Sequence, residues 1–129
     1  MLEIGLHQLI TADPGFQAIA NDRLYPVLLP DDSPYPAATF QRISTTALYC
    51  LEDRVQVTEI RLQIDTWSRT YGESRQLMEA INSVIDNFAG SLPDGTQVFG
   101  VQLSTYGDLY ESAALVYRSS ADFKIQFAG

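Results

Sequence analysis

The sequence predicts an α+β fold: an antiparallel or mixed β-sheet of about five strands, with helices packed on one face and a long projecting β-hairpin. Three observations predict it. The stretch "EIRLQIDTWSRTYGESRQLMEAINSVI", Glu59 to Ile85, changes its apolar period from two to helical spacing at mid-length. "ADFKIQFA" alternates strictly, with Ala121, Phe123, Ile125 and Phe127 on one face and Asp122, Lys124 and Gln126 on the other. Helical patterns and strand patterns are grouped along the chain, and regular βαβ alternation is missing.

The elements follow in order. Leu2, Leu6, Leu9 and Ile10 fall on one helical stripe, predicting a short helix that ends near Ala12. Asp13 as N-cap and Pro14 as first helical residue open a second short helix, "PGFQAIAND", with Phe16 and Ile19 facing the core. "RLYP" is a brief extended piece, and the four prolines between Pro26 and Pro36 forbid both helix and central strand, leaving an ordered loop. "AATFQRIST" (Ala37 to Thr45) alternates as a strand. "VQVTEIRLQIDTWS" (Val55 to Ser68) reads as an unusually long one whose phase changes at Glu59-Ile60, which predicts either a bulge there or a first half packed on a different surface. That first half should project beyond the core with its partner strand.

Leu77, Ile81, Val84, Ile85 and Phe88 form the stripe of a helix over Gly72 to Ala89, with Glu73 in its first turn and Gly90 as a left-handed stop. "PDG" (Pro93 to Gly95) is a turn. Three further strands, "QVFGVQLST", "ESAALVYRS" and "ADFKIQFA", complete a single domain over residues 1–129.

Composition bounds the function. A chain of 129 residues with 46% hydrophobic and 19% charged residues can build one core without staples. The net charge of −8, with Lys124 the only lysine and the arginines scattered singly, argues against a duplex-binding surface. It suits a wall that DNA passes. Cys50 is the single cysteine and cannot form an internal disulfide. "AIA" at Ala18 to Ala20 is not read as a signal-peptidase site, because Glu3 and Asp13 interrupt the preceding apolar stretch and no Lys or Arg precedes Arg23. No apolar run reaches the roughly 18 residues that cross a bilayer.

Catalytic signatures are missing. His7 has no second His or Cys at ligand spacing and reads as structural; Cys50 has no histidine partner that the sequence can place. GxGxxG, GxxxxGK[ST] and GxSxG do not occur. Asp122 and Lys124 on one strand face, with Asp65 ending another strand, imitate a Mg²⁺-dependent nuclease, yet a cross-strand ion pair on a solvated face explains the same residues. The sharper signal is aromatic and apolar. Leu48, Tyr49, Cys50 and Leu51 form an apolar run within a connection, and with Trp67 and Tyr71 they supply the residue types that anchor interfaces. Leu48, Tyr49, Leu51, Trp67 and Tyr71 are therefore the expected subunit or partner contacts.

The order "LHQLITADPGFQAIANDRLYPVLLP", "PYPAATFQRIST", "RLQIDTWSRTYGESRQLMEAINSVI" and "YRSSADFKIQF" resembles the tail completion, or tail terminator, proteins that join head to tail in long-tailed bacteriophages and prophages. The resemblance covers nearly the whole chain. Arg23-Leu24-Tyr25-Pro26, Pro36 before the strand with Arg42, the Gln63-Ile64-Asp65 to Trp67 strand end and Asp122-Phe123-Lys124-Ile125 carry it. It implies a non-enzymatic virion protein without a cofactor or metal, assembled in the host cytoplasm. Such a protein forms a ring, commonly a hexamer, that caps the tail tube and meets the head connector, with DNA as transiting cargo and no membrane partner. The alternatives are another neck or tube component, a small adaptor module or, more remotely, the nuclease.

Overall fold

The computed structural model describes residues 1–49 and 56–128. Helices α1 (Leu2–Thr11) and α2 (Pro14–Ala20) lead into strands β1 (Leu24–Pro26), β2 (Ala37–Tyr49) and β3 (Gln56–Ser68). Helix α3 (Tyr71–Ile85) follows, then β4 (Gly90–Ser91), β5 (Gln97–Glu111) and β6 (Val116–Ala128). The six strands form one mixed sheet in the order β1-β2-β3-β6-β5-β4, in which β1 and β2 are parallel and the other neighbours antiparallel.

The α+β class holds, and the strand inventory differs from the expectation of about five. Two stub strands, β1 and β4, are added at the edges. The expected strand "ESAALVYRS" does not exist as a unit: its start ends β5, residues 112–115 turn, and its remainder opens β6. Residue type explains the misreading. Ser112, Ala113 and Ala114 carry no Gly, Pro or Asn to announce a turn, and the left-handed residue is Leu115, at φ 57°.

Burial selects one sheet face. On β3 the even residues Thr58, Ile60, Leu62, Ile64 and Thr66 are buried, and on β6 Ala121, Phe123, Ile125 and Phe127 lie opposite them. The β3–β6 register runs without a break, so there is no bulge at Glu59-Ile60. Val57 sits on the other sheet face, half-buried, and Thr58 takes the core side, which accounts for the phase change. The irregularity lies in β2, between Arg42 and Ser44.

Three helices cover the core face. Ser74, Leu77, Met78, Ile81 and Ile85 of α3 are buried, as are Leu2, Leu6 and Ile10 of α1 and Phe16 of α2. Fully burying side chains of this size contributes about 1.5–3 kcal/mol each before entropy is counted. Asp13 caps α2 as expected, its carboxylate accepting from Phe16 N at 3.0 Å. Helix α3 begins one residue before the expected Gly72, because Thr70 serves as its cap. The Thr70 hydroxyl accepts from Glu73 N at 3.3 Å and donates to the Glu73 carboxylate at 3.0 Å. The helix also ends earlier than Ala89. Asn87, at φ 61°, supplies the left-handed residue expected of Gly90, and Gly90 lies instead in β4. Phe88 still packs on the core from outside the helix.

Candidate assembly interface

The chemistry-bearing side chains are engaged with one another. His7 Nε2 donates to the Leu24 carbonyl at 3.0 Å, tying α1 to β1, which is the structural role expected of it. Asp122 accepts from Arg61 at 2.7 Å, and Asp65 pairs with Arg118 at 3.3 Å. Arg118 also meets Glu111 at 3.1 Å and lies 5.0 Å from the Trp67 ring centroid. Burial works against the charge of Arg118, but Asp65 and Glu111 outweigh it and raise its pKa. The carboxylates of the nuclease-like constellation thus belong to cross-strand ion pairs on the face away from the helices. Among the described residues no group of three His, Cys, Asp or Glu side chains could hold a metal ion.

A second polar group locks α3 to the sheet. The Thr66 hydroxyl donates to the Ser74 carbonyl at 2.8 Å, Ser74 and Ser119 hydroxyls meet at 3.4 Å, and Ser119 donates to Asp108 at 2.8 Å. Asp108 also accepts from Tyr71 at 3.0 Å and Arg75 at 3.2 Å. Burial would push its pKa up, yet these hydrogen bonds prevail and hold it below the ordinary carboxylate range. The guanidinium of Arg75 in turn stands 5.1 Å from the Tyr106 ring centroid.

The five expected contact residues do not form one patch. Leu48 is half-buried at the far end of β2, opposite Val57. Tyr49 ends the strand, and Leu51 lies outside the described residues. Trp67 stands ten positions further along β3 than Val57, about 33 Å at the usual strand rise. Its ring N–H donates to Thr39 at 3.3 Å. Tyr71, 48% exposed, is near Trp67's end of the sheet and packs edge-on against Tyr117 at 5.9 Å.

Sequence reasoning missed two other surfaces. One is the outer half of the β5–β6 hairpin, where Tyr106, Leu109, Tyr110 and Leu115 are exposed. The other is an apolar groove of about 590 Å³ between α1 and the β1–β2 edge, lined by residues including Ile4, His7, Val27 and Phe40. Exposed Leu28 and Ile43 stand nearby in the chain. The signal for the first was present in "YGDLY", but a reading that ends one strand at Thr105 and begins the next at Glu111 puts all of it in a connection and hides its place in one long strand.

The two hairpins point in opposite directions. Among the described residues only the Tyr49–Gln56 pair of the β2–β3 hairpin lies past the last β3–β6 pair, Val57 with Ala128. The first half of β3, with Thr58 and Ile60 buried, therefore lies within the sheet instead of projecting as expected. The β5–β6 hairpin turns at the end that holds Ser68 and Trp67. Beyond Phe40, β2 is exposed from Gln41 to Ala47.

The model of the tail completion protein gp17 family matches residues 5–127. The chain belongs to that family. Membership makes it a structural protein of a phage virion. No curated protein matches it in sequence. Among solved structures, a chain from the virion of a native gene transfer agent particle is similar, at 12% identity with a TM-score of 0.75. The match covers 99% of this tail completion protein and 95% of that chain. At that identity the likeness concerns the fold.

Proposed function

We propose that this tail completion protein closes into a ring, of six copies in keeping with the resemblance, that seats on the finished tail tube and presents its other face to the head connector. DNA passes through the centre during packaging and ejection. The family match over residues 5–127 carries the reading. The net charge of −8 supports it, since an acidic wall repels passing phosphate. So does the sheet, which ends in two hairpins at opposite ends and can therefore meet different neighbours on its two sides. The hairpin stretch from Leu48 to Leu51 is the tube or subunit contact, and Trp67 and Tyr71 belong to the contacts of the opposite end. The work is done by shape and adhesion, without a bond-making centre.

Negative-stain images of the purified protein, alone and mixed with tail tubes, test this. End-on rings at tube tips are the expected result. Long polymers of the protein alone would instead identify a tube component, and a protein that leaves the tubes bare would be neither.

A further inference from the structure

Both outer strands of the sheet are covered for only part of their length. On β2, β1 pairs with Ala38 to Phe40, and the Val27 amide closes the last position by donating to the Phe40 carbonyl at 2.8 Å. From Gln41 to Tyr49, β3 is the only strand beside β2 among the described residues. On β5, β4 pairs with Gln97 and Val98, and the Asn87 amide donates to the Val101 carbonyl at 3.1 Å. From Gln102 to Glu111, β6 is the only strand beside it among the described residues. Each edge therefore leaves a stretch of nine or ten residues whose outward-pointing N–H and C=O groups, those of about every second residue, have no strand partner among the described residues, at diagonally opposite corners. Soluble monomers blunt such edges with prolines, inward charges or very short strands. Neither open stretch contains a proline, and the register shift in each, at Arg42/Ser44 and at Leu103/Thr105, leaves regular ladder over Ser44–Tyr49 and Thr105–Glu111.

We propose that the open edge of β2 in one copy pairs, antiparallel, with the open edge of β5 in the next, so that the sheet runs on from subunit to subunit around the ring. The inference rests on the ring of the proposed function and names its interface. Direction comes first. In the sheet β2 and β5 run antiparallel to each other, through the chain of antiparallel neighbours β2-β3-β6-β5, so a second copy placed beside the first without inversion presents the correct strand direction.

Register is the second argument. Thr45, Ile60, Ile125 and Val101 share one row across a single copy. Filling both open stretches brings Thr45 beside the neighbour's Tyr106 and Gly107 instead, which in their own copy pair with Ala121 and Ser120, a stagger of four to five rows from Ile125, or about 13–17 Å at about 3.3 Å per residue. Four strands at about 4.8 Å make one copy about 19 Å wide. A stagger of about 13–17 Å across about 19 Å of width means strands tilted roughly 35–41° to the ring axis, within the roughly 35–45° at which closed barrels absorb their shear. The same stagger in untilted strands would give an open helix. The stubs β1 and β4 then act as stops that fix the shift.

Chemistry is the third. In this register the end of the neighbour's β5 reaches β2 at Gln41 and Arg42, which border the groove of Ile4, Val27 and Phe40. Leu109 and Tyr110, 53% and 52% exposed, arrive beside that groove, followed by Leu115 of the turn. An apolar cleft on one edge meets apolar side chains on the other, which is a heterologous contact that closes by rotation.

The test is disulfide trapping in a Cys50→Ser background, since Cys50 is the only native thiol. Ser44→Cys or Thr46→Cys marks β2, and Gly107→Cys marks β5. All three positions are exposed, and a side chain at Gly107 meets nothing within 4 Å. Under mild oxidation, with and without tail tubes, covalent dimers are expected when a β2-marked and a β5-marked protein are mixed, and not in either protein alone. Dimers of a β2-marked protein with itself would overturn the heterologous pairing. Capped tubes without any cross-link would sink the edge pairing and leave the terminator reading intact. Cross-links from mixed samples that leave tubes uncapped would keep the interface and remove the terminator.

Discussion

Gly5 sits in the middle of α1 with no space for a methyl group. A Cβ built there would lie 2.8 Å from both Leu92 Cβ and Asp94 Cγ. Asp94 is itself held by the Thr96 amide at 3.0 Å and hydroxyl at 2.9 Å, so it has little freedom to yield. Gly5→Ala gains up to about 1 kcal/mol of helix propensity, and overpacking of this kind costs typically about 1–3 kcal/mol. The clash wins, and a net loss of up to about 2 kcal/mol is expected in urea unfolding; a more stable variant would show that the turn over residues 92–94 can move away. Asp108 gives a prediction in pH. Its folded pKa is lowered, so its contribution to stability is present above the unfolded carboxylate value of about 3.9 and is lost as pH falls through the folded value. Asp108→Asn should therefore melt below the parent at pH 7, with the gap closing as both are titrated into the range below about pH 4. A gap that persists unchanged in acid would mean that the charge of Asp108 contributes nothing and that only its shape matters.

At the level of elements, legibility tracked how local the determining physics is. The stripe of α3, the Asp13 cap and the alternation of β6 depend on neighbours within a few residues, and all three are read correctly from the sequence. The ends of α3 were not. Thr70 stands in a run, Ser68-Arg69-Thr70, where several residues could cap, and Asn87 takes the left-handed conformation that Gly90 would ordinarily be assigned. The turn at residues 112–115 was invisible because tertiary pairing of β5 with β6 sets it, and its composition does not. The candidate interface was less legible: Leu48, expected in a connection after a strand ending at Thr45, lies within β2, and only pairing shows that Leu48 and Trp67, expected together on one hairpin, stand at opposite ends of the sheet. The Thr70 cap is testable by itself. Thr70→Ala removes the hydroxyl that accepts from Glu73 N and donates to its carboxylate, and such losses cost about 1 kcal/mol. For a domain of this size the melting temperature should fall by roughly 3–6 °C. No change would assign the helix start to packing of α3 alone.

For the whole molecule, the division of labour between the core and the hairpin ends decides what can be altered without unfolding. The buried cluster joins the core face of β3 and β6 to the three helices, and it includes neither Leu48 nor any residue of β2 beyond Phe40. The outer part of β2 is therefore held by its ladder to β3, with Tyr49 opposite Gln56 as the last described pair, while β3 itself is paired with β6 as far as Val57 and buries Thr58 and Ile60. Replacing residues 50–55 with Asn-Gly, the sequence suited to a two-residue hairpin turn, should keep the ladder that ends at Tyr49 and Gln56, with a melting temperature within about 2 °C of the parent's as the check. Edge pairing between copies uses Gln41 to Tyr49 of β2 and survives this change, whereas a tube contact made by the tip does not. The expected outcome in electron micrographs is rings that form and no longer seat on tail tubes. Rings that cap tubes as the parent does would move the tube contact to another surface of the sheet, and a protein that neither forms rings nor caps would show that closure itself needs the tip.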